Sequence, residues 1–320
     1  MTARLPATPA GVAAAADLLR RGGLVAFPTE TVYGLGADAT DPRAVARIFA
    51  AKERPRFNPL IAHAASLDAA LAQGRFDAVA LSLAEAFWPG PLTLVVPVGE
   101  ACTVSDLARA GLDSLGLRVP SHPLAQDLLR QVGRPVAAPS ANRSGRVSPT
   151  DADHVLGDLD GRVDAVLDGG PARVGVESTI VACLGDGPRL LRPGGVPREA
   201  IERAIGRELT SGPAGGRPLA PGMLASHYAP RARVRLNASE IRAGEAALLF
   251  GPGTPEGAGL AVKSANLSPA GDLAEAAARL FSALRLLDAS GAAAIAVAPI
   301  PETGLGEAIN DRLRRAAAER

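Results

Sequence analysis

Short runs of strand-forming residues, closed off by Gly, Pro or polar turns and often followed by a helical stretch, recur along this chain from Leu24 to Val297. No other feature constrains the fold as much, because strands and helices mixed at this spacing bury their apolar faces as an α/β layer structure. Residues 24–27, 60–62, 92–98, 115–119, 136–138, 163–167, 179–184 and 190–192 read as strands of a first unit. Thr8-Pro9 and Asp41-Pro42 each have the form of an N-cap with Pro at the first helical position, so helices are expected over 9–21 and 42–51. Further helices are expected at 124–132 and 198–205.

Residues 210–219 then collect Gly, Pro, Ser and Arg, which is linker chemistry. Beyond them, strands at 234–236, 247–250, 260–262 and 292–297 alternate with helices at 273–287 and 305–318, the pattern of a small Rossmann-type unit. No GxGxxG follows its first strand, so dinucleotide binding gains no support. A length of 320 residues fits this division, since single cores rarely grow so large. The expected boundaries are a first domain over 1–207, a linker over 208–232 and a second domain over 233–320.

Composition narrows the function classes. Aromatics make up only 3%, so the core is built from Leu, Val, Ile and Ala. A net charge of +1 does not call for a nucleic-acid partner. Cys102 and Cys183 are the only cysteines, and their spacing suits neither a disulfide framework nor a zinc site. The chain shows no apolar run of membrane-spanning length and no leader pattern at its N-terminus, so a soluble cytoplasmic protein is expected. Lys52 and Lys263 are the only lysines among 34 basic residues, which singles out Lys52 in the first domain.

Four segments could carry chemistry. FPTETVYGLG (27–36) packs hydroxyls, Glu30 and two glycines into a turn, and reads equally as a ligand loop or a hydrogen-bonded turn. In KERPRFNPLIAH (52–63) three cations end a helix, where they also complement its dipole, while Pro55 and Pro59 stiffen the loop that carries Arg54, Arg56 and Asn58. A stiff cationic loop suits phosphate or carboxylate recognition. PSANRSGRVSP (139–149) could form a backbone nest for phosphate or an ordinary surface loop. DGGPARVGVESTI (168–180), followed by LRPG (191–194), is again rich in glycine and hydroxyls. No Walker, GxSxG, HExxH or paired Cys/His signature is present. The residues by themselves describe an α/β protein with a polar, cationic, anion-binding groove.

Taken in order, FPTETVYGLGADA (27–39), KERPRFNPLIAH (52–63), FWPGPLTLV (87–95), LGLRVPSHP (115–123), APSANRSGRVSPT (138–150), GVESTIV (175–181) and LLRPG (190–194) resemble the YrdC-like threonylcarbamoyl-AMP synthase family. PGMLASHYAP (221–230) resembles the linker of its two-domain form, and GLGEAINDRLRRAA (304–317) the end of its C-terminal domain. The resemblance implies a YrdC-like twisted open sheet with helices around a concave groove, plus a small Rossmann-like C-terminal α/β domain. It also implies a nucleotidyltransferase that joins L-threonine, bicarbonate or CO₂ and ATP into threonylcarbamoyl-AMP, with release of pyrophosphate. That product goes to the machinery that modifies tRNA with threonylcarbamoyladenosine, and a weak contact with tRNA itself belongs to the same expectation.

Carried onto matching positions, the resemblance assigns Thr31, His63, Arg118, Ala138 and Ser178 to threonine. It assigns Arg54, Asn58, Ser140, Ser148, Arg192 and Tyr228 to ATP, with Ser114 less firmly aligned. Both reacting partners are anions, so catalysis falls to fixed cations, here Lys52 and Arg54, with Mg²⁺ accompanying ATP and no protein metal site. Tyr228 lies in the linker, which would then close over the groove and exclude water. Glu53, between the two cations, is expected to point away. Two other functions compete: an RNA-binding module without catalysis, and a carbamoyl transferase using the same groove.

Overall fold

Strands buried on both faces explain why so many of these segments read as unbroken apolar runs rather than as alternations. A computed structural model describes residues 1–55, 57–212, 219 and 228–318. Arg56 and residues 221–227 of the linker motif lie outside the described residues.

The chain opens with β1 (Ala3–Leu5), α1 (Pro9–Arg20), β2 (Val25–Phe27), β3 (Gly34–Asp38), α2 (Pro42–Lys52) and β4 (Ile61–His63). It continues through α3 (Leu67–Leu71), α4 (Ala78–Phe87), β5 (Leu92–Pro97), α5 (Asp106–Arg109), β6 (Ser114–Arg118) and α6 (Pro123–Val132). Then come β7 (Val136–Ala137), α7 (Ala152–Leu159), β8 (Ala165–Leu167), β9 (Thr179–Cys183), β10 (Pro188–Arg192), α8 (Arg198–Ile205) and β11 (Thr210–Ser211). These strands form one mixed sheet of order β1-β8-β2-β3-β7-β4-β6-β5-β9-β10-β11.

The second unit holds β12 (Arg233–Arg235), β13 (Glu245–Leu249), β14 (Ser264–Asn266), α9 (Leu273–Asp288), β15 (Ala294–Val297) and α10 (Leu305–Ala317). Its sheet is wholly parallel, in the order β12-β15-β13-β14. That is the small Rossmann-like layer expected from the alternation.

Helix starts follow their caps. Thr8 accepts from the Gly11 amide and Asp41 from the Arg43 amide, each with Pro in the first turn. Three local readings differ from the structure. Residues 34–38 form a strand and not a turn, because Gly34 and Gly36 leave no side-chain alternation to detect. Gly36 is needed there, since a Cβ would stand 2.9 Å from the Phe27 ring. Residues 260–262 are not a strand: Leu260 and Val262 are exposed, and the strand forms at β14 instead. Thr210 and Ser211, composed like a linker, pair with Arg189 and Leu190 and extend the large sheet.

The second core does not close on itself. Val32, Val147, Val176 and Tyr228 pack into it beside Phe281, Leu284 and Ile309. At Gly175, where φ is +76°, a Cβ would meet the Ala277 carbonyl oxygen at 2.3 Å, so α9 presses directly on the GVES loop. Arg198 pairs with Glu307 at 2.6 Å, and Arg285 pairs with Asp158 at 2.8 Å. The two units therefore meet through both apolar and ionic contacts around one set of loops.

Candidate active site

Strand register builds the site. His63 closes β4 and Arg118 closes β6, and the two are Cα partners in a parallel pair, so they stand side by side at the carboxyl edge of the sheet. Ligands of open α/β sheets sit in crevices at such an edge. Thr29 and Thr31 follow β2, Ala138 to Ser140 follow β7, and Arg192 closes β10 beside the start of antiparallel β9. These residues, with Arg54, Glu177, Ser178 and Tyr228, line one cavity of about 40 Å³, which is room for a few waters.

One half of the cavity is a hydroxyl and guanidinium cluster. Thr29 Oγ donates to the Val32 carbonyl at 2.6 Å, so its 2.8 Å contact with Thr31 Oγ uses the Thr31 proton. Arg118 Nη1 then donates to Thr31 Oγ at 2.9 Å, and its Nε donates to the Gly90 carbonyl at 3.3 Å. Arg118 Nη2 stands 2.7 Å from Glu30 Oε1, an ion pair without hydrogen-bond alignment, for neither atom has an aligned partner. Both residues are almost wholly buried. Ser178 Oγ lies 2.7 Å from Thr93 Oγ, and Arg192 holds the Ser178 carbonyl from Nη2 at 2.8 Å.

His63 belongs to this half. Burial, and then the neighbouring Arg118 charge, press its pKa down to about 3, so the ring is neutral at working pH. Its Nδ1 is buried with no hydrogen-bond partner, an unfilled polar atom of the kind that marks a binding site. The linkage sign is fixed by that depression. Below pH 6.5 the unfolded chain binds a proton that the folded chain refuses, so stability falls with pH until about pH 3. Between pH 7 and 4.5 the wild type should lose about 2–3 kcal/mol more than His63→Gln. Urea denaturation at both pH values measures this, and equal losses in the two proteins would contradict a buried neutral His63.

The other half is cationic. Arg54 is buried, donates from Nη2 to the carbonyls of Pro59 at 3.2 Å and Asn58 at 3.4 Å, and leaves Nε without a partner. It makes no ion pair among the described residues. Burial is the first cause, and Arg192 a lesser one, of a guanidinium pKa lowered to about 10. The site thus holds a charged group that the protein alone leaves poorly compensated.

Lys52 is placed differently from Arg54. The pair Lys52 and Arg54 was expected to face the substrate together, but only Arg54 lines the cavity. Lys52 ends α2, and its ammonium runs to the carbonyls of Ser140, at 2.5 Å, and Asn142. Glu53 adopts a left-handed conformation with φ of 54° and turns the chain, so that Arg54 emerges on the cavity side. Glu53 does point outward, pairing with Arg143 at 2.6 Å and Arg162 at 2.8 Å. Burial, and then Arg54, push the Lys52 ammonium pKa down. Its geometry is that of a brace for the 140–148 loop.

Of the other expected residues, Thr31, His63, Arg118, Ala138, Ser178, Ser140, Arg192 and Tyr228 all line the cavity. Asn58, Ser148 and Ser114 are buried but do not line it. Ser148 stands one step behind, donating from Oγ to Glu177 Oε1 at 2.5 Å. Reading the sequence missed the importance of Glu177 and Arg312, which pair at 2.7 Å across 135 residues of chain. Both sit inside quoted motifs, yet no periodicity links residues so far apart. No cluster of three or more His, Cys, Asp or Glu side chains suited to a metal occurs among the described residues.

Comparison with known proteins gives a consistent result over the whole chain. The Sua5–YciO–YrdC family model, described as "Telomere recombination", matches residues 17–194. A second model, described as "Threonylcarbamoyl-AMP synthase, C-terminal domain", matches residues 196–318. The threonylcarbamoyl-AMP synthase of Bacillus subtilis is 43% identical over 326 residues, covering 97% of this chain and 93% of its own. That of Pyrococcus abyssi is 42% identical over 327 residues, covering 96% and 94%. The crystal structure of P. abyssi Sua5 complexed with L-threonine superposes with a TM-score of 0.89 at 40% identity, covering 99% of this chain and 97% of that one.

Proposed function

The chain belongs to the Sua5/YrdC family of threonylcarbamoyl-AMP synthases in its two-domain form, and on that premise we propose that it makes threonylcarbamoyl-AMP from L-threonine, bicarbonate and ATP. The observation that carries the reading is the composition of this cavity: a hydroxyl and arginine cluster faces a cationic half that includes Arg54 and Arg192. An amino acid fits the first half, and phosphate oxygens fit the second.

In this reading Arg118 receives the threonine carboxylate. Thr31, His63, Ser178 and the backbone at Ala138 hold the rest of the molecule. The Thr31 proton is already committed to Thr29, so Thr31 accepts from a donor on the substrate. The threonine nitrogen bonds to the bicarbonate carbon with loss of water, and a carbamate oxygen then attacks the α-phosphorus of ATP as pyrophosphate leaves. Arg54 and Arg192 offset the charge that gathers as two anions approach, and Ser140 and Tyr228 complete that wall. Asn58 and Ser148 belong to the same nucleotide side from just behind it. Lys52 acts through the loop that carries Ser140 and Ser148.

Mg²⁺ would arrive on the triphosphate, as it usually does where few protein carboxylates are offered, and would supply further charge neutralisation at the phosphates. In this reading Tyr228 shifts to admit ATP, because the cavity it lines has a volume of about 40 Å³. The adenylate is a mixed anhydride, so closure of this wall also protects it from water. In this reading its consumer is the enzyme system that transfers the threonylcarbamoyl group to tRNA, and the reaction belongs with that system in the cytoplasm. No described helix is long and apolar enough to cross a membrane. Against a purely RNA-binding role stands the burial of Lys52, Arg54, Arg118 and Arg192, which takes these cations out of reach of RNA phosphates.

Purified protein given threonine, bicarbonate, Mg²⁺ and ATP should release pyrophosphate, and omission of threonine should abolish the release. Threonine-independent release, or none at all across a range of pH and temperature, would overturn the proposal.

A further inference from the structure

The C-terminal domain places one guanidinium inside the catalytic domain. Arg312, on α10, has no exposed surface and heads the fully buried side chains by volume. Its Nε donates to Glu177 Oε2 at 2.7 Å, its Nη2 to the Pro193 carbonyl at 2.9 Å, and its Nη1 to Asp311 at 2.5 Å. Its guanidinium carbon lies 5.2 Å from the centroid of the Tyr228 ring, which stacks on Phe281 of α9 at 5.6 Å. Glu177 divides its two oxygens between the domains, one for Arg312 and one for Ser148. Gly194 next to Pro193 leaves no slack: a Cβ there would stand 2.4 Å from the Glu177 carbonyl oxygen.

We propose that Arg312 is a positioning residue for adenylation, through which the C-terminal domain fixes Glu177, orients Ser148 and seats Tyr228 at the nucleotide side of the cavity. The inference rests on the synthase reading and adds a catalytic reason for the second domain. With Glu177 ionised, the Ser148 proton is committed to Oε1, and Ser148 offers only lone pairs to a ligand. An ionised Glu177 needs compensation, because a buried carboxylate without a partner takes up a proton instead. The charged or titratable groups around it are Arg312 and Asp311 from α10, Arg192 from β10, and Tyr228. Arg312 and Arg192, with the Ser148 hydrogen bond, outweigh burial and hold its pKa at about 2.

The experiment compares Arg312→Met, Arg312→Lys, Glu177→Gln and the double variant Arg312→Met/Glu177→Gln, by threonine-dependent pyrophosphate release from pH 5.5 to 9. Arg312→Met should raise KM for ATP at least tenfold with a smaller change in KM for threonine. It should also gain an acid limb, losing activity as pH falls because Glu177 then protonates. Arg312→Lys should restore the flat acid side in part. The double variant should lack the acid limb, and it should melt above Arg312→Met because Glu177 no longer stands as a buried carboxylate deprived of its Arg312 partner. An unchanged pH profile in Arg312→Met, or equal losses in KM for both substrates, would reduce Arg312 to a structural contact. If Arg312→Met does not fold, the double variant decides: wild-type KM for ATP in it would overturn the proposal. A wild type inactive with threonine would instead sink the synthase reading, a separate outcome.

Discussion

Arg54→Met is expected to lower threonine-dependent turnover by roughly 100- to 1,000-fold while leaving the melting temperature unchanged or higher. The two halves of that expectation have one cause. Arg54 is buried beside Arg192 and Lys52, makes no ion pair among the described residues, and keeps Nε unfilled. Removing it costs the folded state little, because what is removed is a poorly compensated charge. In the proposed reaction Arg54 is the cation that offsets phosphate charge, and loss of such a group is typically worth about 3–4 kcal/mol of transition-state stabilisation. Trading stability for a preset charge is common at active sites.

Lys52→Met makes the contrast. It leaves the carbonyls of Ser140 and Asn142 without their donor, so the variant should melt lower and lose activity by loosening the loop. Thermal melting of the two variants beside their pyrophosphate release separates the roles. A stable, inactive Lys52→Met alongside an unstable Arg54→Met would reverse the assignment.

What the sequence could reveal followed from how local each signal is. Caps at Thr8 and Asp41, and buried strands such as β5 and β9, depend on neighbours a few residues away, and they formed close to where they were expected. Strand β3 escaped notice because its glycines carry no pattern, although their lack of side chains is what lets Phe27 pack against it. The division of labour between Lys52 and Arg54 was invisible for a different reason. Two residues apart in sequence, they flank the left-handed turn at Glu53, a conformation uncommon for any residue but glycine, and beyond it Arg54 lines the cavity while Lys52 holds the Ser140 and Asn142 carbonyls. The Glu177–Arg312 pair joins the two units across 135 residues of chain, and only the folded chain brings it together.

Arg118→Leu is expected to be the most damaging single change in the threonine half, costing about 3 kcal/mol of stability as well as activity. Arg118 and Glu30 are 5% and 3% exposed in their side chains, so loss of the arginine strands a carboxylate whose oxygens have no other partner. Breaking a buried pair from one side typically costs about 3–5 kcal/mol, and the imperfect alignment here puts this pair at the lower end. Replacing both members by apolar residues removes the stranded charge. The double variant Arg118→Leu/Glu30→Leu should therefore regain most of the stability and none of the activity. Threonine supplies the second readout. A saturating ligand stabilises the protein that binds it by about 2.7 kcal/mol at a hundredfold excess over its Kd, so the wild-type melting temperature should rise with threonine. Neither variant should respond, because the guanidinium that would take the amino-acid carboxylate is gone from both. A threonine-dependent rise in the double variant would show that the carboxylate is held elsewhere. Arg118 would then serve only to neutralise Glu30, and the hydroxyl cluster around Thr31 would have to carry recognition without it.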